Sequence, residues 1–86
     1  MKTIYKYQLS VVERQSICMP EGAEVLTVQD QNGALCLWAL IDPDNSQSER
    51  IIYMVGTGHK INADKGNYVG TIQSPDGTLI LHVFEK

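Results

Sequence analysis

The stretch Val25-Leu26-Thr27-Val28-Gln29-Asp30-Gln31-Asn32-Gly33-Ala34-Leu35-Cys36-Leu37-Trp38-Ala39-Leu40-Ile41 decides the fold. Asn32 and Gly33 both tolerate a positive φ, which a type I′ turn demands of its two central residues. Strand-forming residues flank the pair, so Val25–Gln31 and Ala34–Asp42 read as the two arms of a β-hairpin. A helix is the rival reading of the second arm. The Asn-Gly pair before it and Pro43 after it leave about nine residues, too few for a typical helix. With Asn32-Gly33 at the tip, Val28 faces Leu37 and Leu26 faces Ala39 on one side of the ribbon. Val25–Leu40, Thr27–Trp38 and Gln29–Cys36 fall on the other. Because the second arm is apolar on both faces, it is expected to be central and covered twice.

A second signature, Ser74-Pro75-Asp76-Gly77-Thr78, joins Tyr68–Gln73 to Thr78–Phe84. Proline followed by Asp-Gly fits a three-residue loop with Gly77 in the left-handed region. That loop sets Ile72 opposite Ile80, Thr71 opposite Leu81 and Val69 opposite Val83. Thr3–Leu9 alternates, with Tyr5 and Tyr7 on the inward face. A strand over Gln15–Met19 stops at Pro20-Glu21-Gly22, read as a turn with proline second and Gly22 closing. Asp42–Glu49 is a polar loop and Arg50–Val55 a further strand. Lys60–Asn67 is irregular, with room for at most a short helical turn. The expectation is a single all-β domain over residues 1–86, a small antiparallel barrel or sandwich of about seven strands built from hairpins.

The chain has 86 residues, 43% of them apolar and 20% charged, which suits one ordered domain with one core. A net charge of −3 and only seven basic residues, scattered along the chain, argue against nucleic-acid or anionic-membrane binding. No segment has the pattern of a signal peptide or a membrane span, so a cytoplasmic location is expected. Cys18 and Cys36 fit such a compartment as buried thiols. A disulfide between them is the alternative, on neighbouring strands.

The best candidate for a small-ligand contact is Gly56-Thr57-Gly58-His59 with Lys60. Its glycines let backbone amides approach an anion, Thr57 and His59 can add hydroxyl and imidazole contacts, and Tyr68 is a stacking ring. The stretch lacks the spacing of a dinucleotide or P-loop motif, and a strand-ending loop explains its glycines equally well. His59, His82, Cys18 and Cys36 show no metal-binding spacing. Asp42-Pro43-Asp44-Asn45-Ser46 begins like a calcium loop, but Gln47 stands where its glycine belongs and Tyr53 where its glutamate belongs. No serine lies in a nucleophile elbow and both cysteines sit in apolar runs, so neither an enzyme nor a cofactor is expected. His82, between Leu81 and Val83, reads as a partly buried strand histidine with a hydrogen-bond partner. Tyr5 and Tyr7, two apart on one face, are candidate anchors for a protein partner, with Asp42, Asp44 and Glu49 as an acidic rim.

Taken together, Ile4-Tyr-Lys-Tyr7, Met19-Pro-Glu-Gly-Ala-Glu24, Cys36-Leu-Trp-Ala-Leu-Ile-Asp42, Gly56-Thr-Gly-His59, Tyr68-Val-Gly-Thr71 and His82-Val-Phe-Glu85 cover nearly the whole chain. In these the chain resembles a family of short, uncharacterised proteins encoded in phage and prophage regions of bacterial genomes. That resemblance implies a bacterial host cytosol and a phage accessory role, and assigns no catalytic residues. The leading expectation is a non-catalytic module binding a host or phage protein, or a second copy of itself. The other is a small-molecule binder that sequesters a nucleotide-like ligand at Gly56–Lys60 and Tyr68.

Overall fold

The computed structural model describes residues 1–61, 64–74 and 76–86. Among these residues there are seven strands and no helix. A three-stranded sheet runs in the order β1 (Thr3–Gln8), β4 (Ala34–Ile41), β3 (Glu24–Gln31). A four-stranded sheet runs β2 (Arg14–Pro20), β5 (Gln47–Gly56), β7 (Ile80–Glu85), β6 (Asn67–Gln73). Every pairing is antiparallel. The two sheets pack as an open sandwich, not a closed barrel.

The first hairpin forms as its turn chemistry demands: Asn32 has φ +53° and Gly33 φ +88°. Val28 pairs with Leu37, Thr27 with Trp38 and Gln29 with Cys36. Beyond Thr27 the expected register fails. Leu26 is an extra residue in a bulge, so Val25 faces Ala39 and Glu24 faces Leu40. The bulge keeps Val25 pointing inward and turns Leu26 out, where it is 42% exposed.

Strand β4 is central, but only one of its faces is covered. Leu35, Leu37, Ala39 and Ile41 point into the sandwich and are buried. Each large side chain among them contributes about 1.5–3 kcal/mol. Trp38 and Leu40 face outward and are half-buried, with no second layer over them among the described residues. Cys36 also faces outward yet is buried, and on the same face Lys6 of β1 donates to Gln31 Oε1 of β3 at 2.8 Å, across β4.

The other sheet contributes Met19, Ile52, Met54, Leu81 and Val83 to the core. Where β3 lies over β6, Val28 Cγ1 is 3.2 Å from where a Cβ on Gly70 would sit. Arg50 points inward from β5 and donates to Glu85 Oε2 at 2.6 Å and to the Ala23 carbonyl at 2.9 Å. One guanidinium thus ties β5, β7 and the turn before β3.

The other differences from expectation have local causes. Pro20 ends β2 as the first residue of its turn, and Gly22 takes the left-handed third position at φ +78°, with Ala23 N–H donating to the Pro20 carbonyl. Gln47, Ser48 and Glu49, read as loop, extend β5 because they pair with Pro20, Met19 and Cys18. Cys18 is exposed on the outer face of the four-stranded sheet. Cys36 faces out from the other sheet, so the two thiols are free and cannot pair. The described part of Lys60–Asn67 holds no helical turn; Asn62 and Ala63 lie outside the described residues.

In the second hairpin Gly77 is left-handed as expected, at φ +73°. The ladder, however, is one residue out of the expected register: Ile72 faces Leu81 and Thr71 faces His82, while Val69 is a bulge. The cause is a longer loop, closed when Ser74 N–H donates to the Leu79 carbonyl. Asp76 Oδ1 organises it, accepting from Ser74 Oγ, Thr78 Oγ1 and Thr78 N–H. These donors, Ser74 foremost, hold the Asp76 carboxyl down at about 2. Pro75 lies outside the described residues.

Candidate functional site

The outer face of the four-stranded sheet carries most of the chain's unabsorbed chemistry. Register sets Tyr53, Phe84 and Tyr68 in one row across β5, β7 and β6, and Val55, His82 and Thr71 in the next. The rings of Tyr68 and Phe84 meet edge to face, centroids 5.6 Å apart at 66°. Lys65 Nζ lies 4.4 Å from the centroid of the Tyr53 ring.

The loop after β5 closes over one end of this face. Residues 56–59 form a turn in which His59 N–H donates to the Gly56 carbonyl at 3.1 Å, with Gly58 at φ +84°. That turn brings the His59 ring over Gly56, where a Cβ would stand 2.9 Å from its Cε1. A side chain at 56 would therefore displace the His59 ring from this position. The turn also aims Thr57 at His82: Thr57 Oγ1 and His82 Nε2 share a hydrogen bond of 2.7 Å. The other imidazole nitrogen, Nδ1, bonds Thr71 Oγ1 at 2.9 Å, and Thr71 Oγ1 bonds the Tyr68 hydroxyl at 2.5 Å. Thr57, His82, Thr71 and Tyr68 thus form one continuous relay across three elements.

Two adjoining cavities flank His59. The smaller, about 230 Å³, has Thr57, Gly58, His82, Tyr68, Phe84 and Ile61 in its wall. The larger, about 330 Å³, has an apolar wall from Val11, Val12, Met54, Leu79 and Leu81, with Lys60, Lys65 and Glu13 at its polar side. Val55, Gly56 and His59 belong to both. The larger volume is the less informative of the two, because the convergent hydrogen-bonding groups lie in the smaller.

All six residues named for a ligand are gathered here: Gly56, Thr57, Gly58, His59 and Tyr68 in the smaller cavity or its rim, and Lys60 in the larger. Missing from that set were His82, Thr71 and Phe84. Their signal is the β6–β7 register: once Thr71 is opposite His82, the relay follows.

The residues named for a partner are not gathered. Tyr5 and Tyr7 share the inner side of edge strand β1, with Tyr5 47% exposed and Tyr7 half-buried against the core. Burial, and secondarily Tyr5, pushes the Tyr7 hydroxyl pKa up. Asp42 caps its own turn, its Oδ1 accepting from Asp44 N–H. Glu49 lies on the outer face of the other sheet, accepting from Ser16 Oγ at 3.2 Å. Those acidic groups make no single rim around the tyrosines. Among the described residues no three His, Cys, Asp or Glu side chains are grouped to hold a metal ion.

No curated protein and no solved structure matches the chain. The model of one family does match, over residues 1–86, and its description is a domain of unknown function, DUF7352. By that match over residues 1–86, the chain belongs to the DUF7352 family.

Proposed function

We propose that this chain is a non-catalytic binding protein for a small, nucleotide-like molecule, held at the loop after β5. One observation carries the reading: a sequence-distant hydroxyl, imidazole and phenol converge on a concave cavity walled by Tyr68 and Phe84. Concave, mostly apolar sites with a few convergent polar groups are where small ligands bind. A planar ring fits the aromatic end, and an attached anionic group fits the adjoining cavity beside Lys60 and Lys65. Thermal-shift and calorimetric titration against nucleosides and nucleotides test this. A ligand at 100 times its Kd raises stability by about 2.7 kcal/mol, and Tyr68→Ala should abolish that gain. A panel-wide lack of both heat and shift would end the proposal.

A second reading is favoured by edge strand β1, which pairs only with β4. Beside it, outward Ile4 is 55% exposed and Trp38 and Leu40 are half-buried. This edge can accept a strand from another protein, or from a second copy, in β-augmentation. Tyr5 is its accessible aromatic anchor; the host or phage identity of a partner rests on the resemblance alone. Solution mass measured over a concentration range tests the version with a second copy.

A further inference from the structure

We infer that the smaller cavity selects a ring that both donates and accepts a hydrogen bond, a nucleobase-like ligand in preference to an acceptor-only ring. This rests on the pocket being a ligand site. The argument is a count of protons. Thr57, Thr71 and Tyr68 each bring one hydroxyl proton, and a neutral His82 brings one on either ring nitrogen. The three internal bonds, of 2.7, 2.9 and 2.5 Å, consume three of those four protons. One proton is left over, whichever tautomer is present.

The position of that proton depends on the histidine. With the imidazole proton on Nε2, His82 donates to Thr57, Thr71 donates to Nδ1 and Tyr68 donates to Thr71. Thr57 then holds the spare donor and the tyrosine end can only accept. With the proton on Nδ1, Thr57 donates to Nε2, and the spare donor moves to the Thr71–Tyr68 end. A ligand therefore meets one donor and one acceptor on opposite sides of the imidazole. Two donors are never offered together unless an internal bond breaks or His82 gains a charge. Both ends of the relay, Thr57 and Tyr68, belong to the wall of the same cavity. A ring that supplies the matching pair fixes the direction of all three bonds, which then polarise one another.

The test uses the full chain and two matched pairs of nucleosides. Purine riboside lacks the amino donor of adenosine, and N3-methyluridine lacks the imino donor of uridine. Near neutral pH, at least one donor-bearing nucleoside is expected to bind about tenfold or more tightly than its partner, as one hydrogen bond predicts. His82→Leu cuts the relay, leaves Thr57 free to donate and the Thr71–Tyr68 pair with one free proton of its own, and should reduce that preference to within about twofold. In the wild-type complex, ¹⁵N spectra of His82 should show one protonated and one bare ring nitrogen. Equal binding within both pairs would overturn the selection rule and leave the pocket reading standing. Two protonated ring nitrogens in the complex would likewise overturn the rule. Failure of all four nucleosides to bind would remove both.

Discussion

A Cβ added at Gly66 would run into the Glu85 carbonyl, and the residue already sits at φ +83°. Gly58, at φ +84°, has open space around it. The pair therefore separates two costs. Gly58→Ala pays only for left-handed backbone, about 1–2 kcal/mol, whereas Gly66→Ala adds a collision with backbone that cannot turn aside. Urea denaturation should place Gly66→Ala at least about 1 kcal/mol below Gly58→Ala; equal midpoints would contradict the packing at the end of β7. At this scale turn chemistry was legible: Asn32, Gly33 and Gly77 announced their positive φ through their neighbours. Gly66 did not, because its constraint comes from Glu85, a residue remote in sequence. His82 was likewise legible only as a satisfied strand histidine, since its partners lie 25 and 11 positions away.

Strands were legible as elements, and their registers only in part. Alternation and Asn-Gly fixed the β3–β4 pairing near its turn, but a bulge depends on what the partner strand needs to face. Leu26 shows this. Leaving it out of the ladder gives an unbroken sequence of pairs, Glu24–Leu40, Val25–Ala39, Thr27–Trp38 and Val28–Leu37. Deleting Leu26 should therefore preserve every inward residue of β3, at a cost below about 2 kcal/mol. Deleting Gln29 instead uses up the bulge but sets Val28 opposite Cys36 on the outer face and Thr27 opposite Leu37 in the core, leaving Val25 opposite Ala39, and should cost more than the Leu26 deletion. Circular dichroism melts of the two deletion variants decide the matter. A Leu26 deletion that fails to fold would mean the bulge does more than absorb an extra residue. The β6–β7 register slipped for a related reason: Asp76 closes a longer loop through side-chain bonds, which dipeptide turn rules do not count. That single slip also hid the Thr71–His82 link of the relay, because it set Thr71 opposite Leu81 instead of His82.

For the molecule as a whole, what matters is how little of it is covered. An 86-residue chain has only the space between two sheets for its core, and its total stability is expected near 5–10 kcal/mol. The apolar run of β4 suggested cover on both faces, yet hydrophobicity alone cannot distinguish a face buried within the chain from one left open. Substitution can. Leu37 is fully buried, so Leu37→Ala should cost about 3 kcal/mol, a large share of the total, at any protein concentration. Ile4, on the opposite side of the same sheet and 55% exposed, should cost less than about 1 kcal/mol when truncated in dilute solution. If β1 and the Ile4–Trp38–Leu40 face take up a second copy, the Ile4 penalty grows with concentration as solution mass rises toward twice that of the chain, because association stabilises the folded form by mass action. A small Ile4 penalty that stays constant while the mass stays that of one chain removes the self-pairing version. The edge then has only a different protein to receive, and the pocket on the far sheet becomes the stronger claim to function.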